Sequence, residues 1–224
     1  MIDSLRQHES RAELSPVLEQ RGLCRGKYVL LTLHRAANVD EIESFVEILE
    51  GLSDLARSHR VIFPAHPRTQ KQIHELGFEP YFCRSEKERF KGTSGRLGIE
   101  MLAPQGYLDF LCLMKHARIV VTDSGGIQEE TTALGVPCVT LRDNTERPVT
   151  VELGTNLLAG TRRDTIRQAI RCQLAARRSA HIPEMWDGRA GARIVGILAE
   201  HLRARRPLLP IVPAESGQIQ ENAR

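Results

Sequence analysis

The sequence predicts an α/β protein in which helices cover both faces of a parallel sheet. Short apolar runs rich in Val, Ile and Leu alternate along the chain with longer segments of helical periodicity. The apolar runs have almost no polar interruption, which is typical of strands that are buried on both faces. Polar loops containing glycine or histidine follow several of these runs directly. Together these observations favour a Rossmann-like layout.

Residues 1–25 are expected to form an N-terminal helix and a connector. The segment 2–20 is charged and amphipathic, and Pro16 marks a break because proline removes a helical hydrogen bond. A Rossmann-like domain is expected over 26–205. The tail at 206–224 contains prolines and ends in polar residues, so we expect it to be disordered.

Within the expected domain, strands and helices alternate. The predicted strands share apolar, mostly β-branched or leucine-rich sequences and lie at 27–33, 60–63, 97–102, 119–121, 138–141 and 157–160. The predicted helices share an apolar stripe and lie at 41–58, 69–76, 108–116, 127–134, 164–178 and 189–205. Asn38 and Asp40 are expected to cap the helix at 41–58. The segment 77–100 has no clear periodicity, so we expect an irregular surface segment with one short strand.

Length and composition narrow the class of protein. The 224 residues are enough for one large domain or two small ones, and 41% hydrophobic and 26% charged residues are typical of a soluble globular protein. A net charge of +3 does not indicate a nucleic-acid or membrane partner. The N-terminus is charged, unlike a secretory signal, and no apolar run approaches the roughly 20 residues of a membrane span. We therefore expect a cytoplasmic protein.

The cysteines predict neither a disulfide framework nor a metal site. Their number is odd, and no two of them are closely spaced: Cys24, Cys83, Cys112, Cys138 and Cys172. Structural disulfides and zinc sites normally require paired cysteines at characteristic spacings. We expect reduced thiols.

The most informative stretch is 117–134. An apolar run ends at Ser124, and Gly125 and Gly126 precede a helical pattern. The first amides of a helix have no partner within it, and glycine lets a phosphate approach them. Glu130, one turn into the helix, is suited to accept hydrogen bonds from sugar hydroxyls such as those of a ribose. The stretch predicts either a nucleotide site or a tight turn without a ligand, and so short a motif does not decide between them.

Five motifs together resemble one enzyme family. They are LLTLHRAANVD, FPAHPRTQ, PQGYLDFLCLM, TDSGGIQEE and LRDNTERPVTVELGTNLLAG, and the closing WDGRAGARIVGIL also fits. In order and spacing they resemble the UDP-N-acetylglucosamine 2-epimerases of the bacterial, non-hydrolysing type, over roughly 27–202. The resemblance implies the C-terminal domain of a GT-B-like fold, in which a nucleotide sugar lies between two Rossmann-like halves.

The resemblance assigns the nucleotide's phosphates and ribose to particular residues. Ser124, Gly125 and Gly126 are implied to bind the diphosphate, and Glu130 the ribose. Arg147, within TERP, is implied to neutralise phosphate charge, a role that suits the planar fork of a guanidinium group.

The base and the reacting centre are assigned in the same way. Gln105 and Phe110 are implied to hold the uracil, by hydrogen bonding and by ring stacking. His34, within TLHR, is implied to be catalytic and to assist as an acid near the leaving oxygen, which its near-neutral intrinsic pKa permits. Arg35 and His66 are further candidates for the pocket.

The implied reaction interconverts UDP-GlcNAc and UDP-ManNAc by elimination and re-addition of UDP, without a cofactor or metal. The resemblance implies that the sequence corresponds to about half of a family chain, without the first domain, which in the family supplies the carboxylates that act on the C2 proton. We therefore expect it to be inactive alone and to form a homo-oligomer, as a dimer. The alternatives are a hydrolysing epimerase, a non-catalytic nucleotide-sugar-binding module, and half of a glycosyltransferase of the same architecture.

Overall fold

The computed structural model describes residues 1–83, 98–176 and 181–204. The chain divides into two compact units, Met1–Arg189 and Ala190–Arg224. All the strands that the structure describes belong to the first unit, and one helix is described in the second. The expected disordered tail lies outside the described residues, as does much of the irregular segment 77–100. Within the described ranges, no helix is both long and apolar enough to cross a membrane.

Seven parallel strands form the sheet of the first unit. Their bounds are β1 Tyr28–Thr32, β2 Arg60–Pro64, β3 Phe82–Cys83, β4 Ile99–Leu102, β5 Ile119–Thr122, β6 Cys138–Thr140 and β7 Asn156–Leu158. Their spatial order is β3-β4-β2-β1-β5-β6-β7, and every neighbouring pair is parallel. The prediction of a parallel α/β sheet is confirmed, and β3 is the short strand expected within the irregular segment.

Ten α-helices are described. Their bounds are α1 Ile2–Ala12, α2 Val17–Gln20, α3 Ala36–Val39, α4 Ile42–Ser58, α5 Pro67–Glu75, α6 Tyr107–His116, α7 Gly125–Leu134, α8 Val149–Glu152, α9 Arg163–Ala175 and α10 Ala190–Ala204. A 3-10 turn at Glu79–Tyr81 precedes β3. The break predicted at Pro16 separates α1 from α2, because proline stands as the N-cap of α2.

Two local predictions were wrong. Asn38 does not cap α4, whose N-cap is Glu41; it lies inside the short helix α3 and is buried. The two glycines, Gly125 and Gly126, do not precede α7 but form its first turn, so the helix begins two residues earlier than its apolar periodicity indicates. A helix's first turn carries no apolar signal when its residues lack side chains.

The core lies on both faces of the sheet. Successive side chains of a strand point to opposite faces. Accordingly, Val29 and Leu31 of β1 join a cluster with residues of α4, α5 and α9, whereas Tyr28 and Leu30 join a second cluster with residues of α1, α6 and α7. All five residues of β1 are buried. The burial of β1 on both sides explains why its sequence has no alternation of polar and apolar residues.

The strand order creates a crevice at one edge of the sheet. β1 lies between β2 and β5, so the chain leaves β1 towards one side of the sheet and later returns to its other side. The loops after β1 and β5 therefore run in opposite directions beyond the carboxyl ends of these strands. Ligands of open α/β sheets bind at such switch points. The two strands end in register at Thr32 and Thr122, whose hydroxyl oxygens lie 2.6 Å apart.

An ion-pair cluster fastens the N-terminal helix to α6. Lys115 Nζ lies 2.8 Å from Glu9 Oε1 and 2.7 Å from Glu13 Oε1, and His116 Nε2 lies 3.0 Å from Glu13 Oε2. The hydrogen bond from Lys115 is the main reason why the pKa of Glu13 is lowered to about 2. The cluster joins segments about a hundred residues apart in the chain and holds α1 on the second core cluster.

Acid should weaken this attachment. Because the pKa of Glu13 is lower in the folded chain than its ordinary value of 4.5, its stabilisation is present above pH 4.5 and is lost as the pH falls towards 2. Glu13→Gln should lower the free energy of unfolding at pH 7 by about 1 kcal/mol, since the carboxylate is partly exposed, and should change it less at pH 3. Urea unfolding at both pH values measures this difference. Glu19→Gln, in an exposed part of α2, is the control; equal pH dependence in both variants would contradict the prediction.

Candidate functional site

A cleft of about 320 Å³ opens at the carboxyl edge of the sheet, where β1 and β5 part. Half of the predicted site residues line this cleft: His34, His66, Gln105, Phe110 and Ser124. These residues are separated by up to 90 positions in the sequence. The described residues contain no group of three His, Cys, Asp or Glu side chains placed to hold a metal ion.

Neighbouring strands bring the cleft residues together. His34 follows β1, His66 follows β2, Gln105 follows β4 and Ser124 follows β5, and these four strands are adjacent in the sheet. Because all four are parallel, their carboxyl ends meet at one edge. Phe110 reaches the same cleft from α6, the helix that connects β4 to β5.

His66 both lines the cleft and caps a helix. It is the N-cap of α5, and its Nδ1 accepts a hydrogen bond of 3.2 Å from the amide of Arg68. Since Nδ1 acts as an acceptor, a neutral His66 ring carries its proton on Nε2.

The two residues predicted to hold the uracil are fixed differently. Phe110 is half-buried and packs against the second core cluster, which restricts its ring. Gln105 bonds locally: its Nε2 donates a hydrogen bond of 2.7 Å to the carbonyl of Ala103. The side-chain oxygen of Gln105 therefore remains available to accept a hydrogen bond from a ligand.

The start of α7 has the properties of an anion site. Ser124 is the N-cap, with extended backbone, but its hydroxyl makes no capping hydrogen bond. The amide of Ser124 donates to Thr122 Oγ1 at 3.0 Å. The next two amides, those of Gly125 and Gly126, donate to no residue that the structure describes. Unpaired amides at the positive end of a helix dipole attract negative charge.

Two side chains lie against this turn. A Cβ atom placed on Gly126 would be 3.1 Å from Met1 Cε, and one placed on Gly125 would be 3.8 Å from Glu146 Oε2. Met1 is 57% exposed, so moving its flexible thioether would expose little additional apolar surface. The carboxylate of Glu146 lies where the helix dipole favours an anion.

Two arginines hold that carboxylate. Arg142, which is buried, donates to both oxygens of Glu146 with two hydrogen bonds of 2.7 Å, and Arg35 Nη2 lies 3.5 Å from Glu146 Oε1. The hydrogen bonds from Arg142 lower the pKa of Glu146 to about 2. Sequence reasoning missed Arg142 and Glu146, although both belong to the motif that contains Arg147. Their bidentate pairing appears only when the loop is folded.

Arg147 lies beside α7 and does not line the cleft itself. Its Nε is 2.9 Å from Glu129 Oε1, and its Nη1 donates to the carbonyl of Glu146 at 3.2 Å. Its main chain is fixed on both sides, because Thr145 Oγ1 accepts from its amide at 2.9 Å and Thr150 Oγ1 donates to its carbonyl at 2.7 Å. The guanidinium group is half-exposed, and its partner Glu129 lies in α7, three residues after Gly126.

A buried amide connects α7 to the loop that carries Arg147. Gln128 Nε2 donates to the carbonyl of Ser124 at 3.2 Å. Its Oε1 accepts from Thr145 Oγ1 at 2.6 Å and from Asn156 Nδ2 at 3.2 Å. Gln128 is fully buried, and buried polar networks of this kind fix one geometry when every member is satisfied. Gln128 was not among the predicted site residues.

Glu130 is buried beside α6 and is also absent from the cleft lining. It accepts a hydrogen bond of 3.3 Å from the Tyr107 hydroxyl, and burial raises the pKa of its carboxyl group. Burial and the adjacent Glu130 raise the pKa of Tyr107 to about 12. Tyr107 was not singled out in the sequence. It places a phenol beside the carboxylate that is predicted to bind a ribose.

His34 is paired with a buried carboxylate. Its Nδ1 lies 2.7 Å from Asp123 Oδ1, while the ring itself is more than half exposed to the cleft. The hydrogen bond to Asp123 raises the pKa of His34, although partial burial and the charge of Arg35 oppose this effect. Arg35 does not line the cleft; its Nε donates to the carbonyl of Asp123 at 3.0 Å. Asp123 was not among the predicted site residues.

Comparisons with known proteins point to one family. The family model for UDP-N-acetylglucosamine 2-epimerase matches residues 1–199. A UDP-N-acetylglucosamine 2-epimerase of Methanocaldococcus jannaschii is 42% identical over 173 residues, which cover 76% of this chain and 44% of that protein. The chain thus spans about half the length of the curated relatives that it matches.

Solved structures give the same result. The Methanocaldococcus jannaschii UDP-GlcNAc 2-epimerase in complex with UDP-GlcNAc and UDP is similar with a TM-score of 0.72 and 38% identity, covering 89% of this chain and 52% of that one. The Neisseria meningitidis enzyme bound to UDP-GlcNAc has a TM-score of 0.68 and 27% identity, covering 89% and 53%.

Proposed function

Because this chain belongs to the UDP-N-acetylglucosamine 2-epimerase family, we propose that it forms the UDP-binding half of an enzyme that interconverts UDP-GlcNAc and UDP-ManNAc. Its fold is one half of the GT-B-like architecture of these epimerases. The observation that carries the proposal is the cleft between the ends of β1 and β5, where His34, Gln105, Phe110 and Ser124 meet.

The proposed mode of binding places the diphosphate at the start of α7. The diphosphate oxygens accept hydrogen bonds there from the free amides of Gly125 and Gly126 and from the hydroxyl of Ser124. Arg147 turns from Glu129 to the phosphates, which its half-exposed side chain permits. Phe110 stacks on the uracil and Gln105 bonds its edge. Glu130, together with Tyr107, accepts the ribose hydroxyls.

The proposed reaction breaks the bond between the sugar and the diphosphate and later forms it again, with C2 protonated on the other face. Negative charge develops on the departing diphosphate. Donors that are fixed before the reaction stabilise such charge effectively, and here these are the first amides of α7 and the guanidinium group of Arg147. His34 acts next to the same oxygens as a hydrogen-bond donor or acid. In this proposal the groups that exchange the C2 proton belong to the part of family proteins outside this sequence.

Isothermal titration of the isolated chain with UDP, UMP and uridine tests the proposal. UDP should bind most tightly and uridine most weakly, since the amides of α7 and Arg147 contact the phosphates. Each lost charge-assisted contact is worth about 1.5–3 kcal/mol. Absence of UDP binding, or equal affinity for UDP and uridine, would show that the start of α7 is not a diphosphate site.

We propose further that the isolated chain self-associates through α10. Five apolar side chains of this helix are each more than half exposed: Ile194, Val195, Ile197, Leu198 and Leu202. Apolar surface of this kind normally marks an interface. We expect a dimer or larger species whose population rises with concentration in multi-angle light scattering, and we expect Ile197→Glu to reduce it. Glu200→Gln on the same helix is the control, and a strictly monomeric wild-type chain would contradict this expectation.

A further inference from the structure

Asp123 is a buried carboxylate surrounded by donors. It is the first residue after β5, and it has no exposed surface. The amides of His34 and Arg35 donate to its Oδ2 at 3.1 Å and 2.9 Å, and Asn38 Nδ2 donates to the same oxygen at 3.2 Å. Asn38 is itself fixed by a second hydrogen bond, of 3.1 Å, to the carbonyl of Leu141. The carboxylate therefore has one orientation.

The other oxygen of Asp123 faces the ring of His34. The distance from Oδ1 to Nδ1 is 2.7 Å, which is short for a hydrogen bond between nitrogen and oxygen and typical of a charge-assisted one. A carboxylate can only accept, so Nδ1 must carry a proton. Nε2 lies on the opposite side of the ring, and the ring borders the cleft. Which nitrogen of a histidine meets a ligand is set by the bond that the other nitrogen makes.

We propose that Asp123 is the positioning residue of His34: it holds Nδ1–H through Oδ1 and so presents Nε2 to the diphosphate oxygens of the bound nucleotide. Asn38 and the amides after β1 act through Asp123, because they fix the carboxylate that fixes the ring. This inference rests on the proposed function for the identity of the ligand, but the ring orientation is a property of the chain alone.

The charges around the ring favour a protonated His34. Asp123 raises its pKa, whereas Arg35 on the same loop opposes this effect. Across the cleft the facing titratable group is His66. Burial alone would raise the pKa of Asp123. The hydrogen bonds that its carboxylate accepts outweigh burial and lower this pKa, so the Asp123 carboxylate is ionised. An imidazolium at this place offers an N–H donor at Nε2 to a departing diphosphate.

Nitrogen-15 NMR of histidine-labelled protein tests the inference. In the wild-type chain at high pH, neutral His34 should show the tautomer with the proton on Nδ1, and its titration midpoint should lie above the ordinary value of 6.5. In Asp123→Asn the midpoint should move to lower pH and the tautomer should become mixed or reversed. Glu79→Gln is the matched control: it removes a carboxylate 2.6 Å from another histidine, the exposed His74, and should leave the tautomer and the titration of His34 unchanged.

The outcomes separate the inference from the proposed function. An Nε2–H tautomer in the wild-type chain, or an unchanged His34 titration in Asp123→Asn, would overturn the inference. The wild-type tautomer decides the matter even if Asp123→Asn does not fold. Isothermal titration with UDP is the second measurement: wild-type affinity should increase as His34 becomes protonated, and this increase should occur at lower pH in the variant. If UDP does not bind at all, the proposed function fails, while the NMR result still decides the positioning role.

Discussion

Replacing Arg147 with alanine should raise the dissociation constant of the chain for UDP by roughly 10- to 100-fold. A charge-assisted hydrogen bond to phosphate contributes about 1.5–3 kcal/mol, and each 1.4 kcal/mol corresponds to a factor of ten. The main chain of Arg147 is held by Thr145 and Thr150, so the loss should come from the guanidinium group and not from a displaced loop. Isothermal titration at one fixed salt concentration measures the change.

Three further variants make this prediction specific. Arg147→Lys keeps the charge but not the planar fork and should give an intermediate affinity. Glu129→Gln removes the partner that holds Arg147 Nε at 2.9 Å and should leave the affinity equal to or higher than that of the wild type. Arg163→Ala, whose side chain pairs with Glu47 away from the cleft, should have no effect. If Arg147→Ala bound UDP as well as Arg163→Ala does, Arg147 would not contact phosphate.

Gly154→Ala should destabilise the fold by about 3 kcal/mol, at the upper end of the usual range for overpacking a core. A Cβ atom at Gly154 would lie 2.5 Å from Thr132 Oγ1 and 2.5 Å from the carbonyl oxygen of Thr150. Thr132 and Thr150 are both buried, and one of the clashing atoms belongs to the main chain, so no flexible side-chain end can move aside. Because Thr150 holds the carbonyl of Arg147, UDP affinity should fall as well.

Urea unfolding followed by circular dichroism measures this loss. The matched control is Gly196→Ala in α10, where no described heavy atom lies within 4 Å of the new Cβ position. There the variant should be as stable as the wild type or more stable, by up to about 1 kcal/mol, because alanine favours a helix interior. A Gly154→Ala protein as stable as the Gly196→Ala protein would mean that α7 and α8 do not pack as described.

Periodicity was enough to predict the longer helices and the main strands of this fold. The uninterrupted apolar run of β1 indicated a strand buried on both faces, and all its residues are buried. The same reasoning failed for the short helices α3 and α8, since four residues carry too little periodicity for a prediction. It also misplaced the start of α7, where the glycines contribute no apolar signal.

Part of the cleft could also be predicted from the sequence. Residues that directly follow parallel strands must lie at one edge of the sheet, so the predicted parallel layout by itself brings His34, His66 and Ser124 to one edge. The structure places them on one cleft. The roles of these residues in binding and catalysis remain predictions, which the titrations above address.

The sequence by itself determined the longer elements, the burial of the strands and the edge of the sheet at which the polar loops lie. Only the tertiary structure decided the partners: Asp123 with His34, Glu129 with Arg147, and Gln128 with Asn156. The physical reason is that periodicity reports which side of one element faces the core, whereas a hydrogen bond between elements depends on strand order and register. Here β5 lies next to β1 although about 90 residues separate them. The pairing of these two strands brings the Asp123 carboxylate to the His34 imidazole.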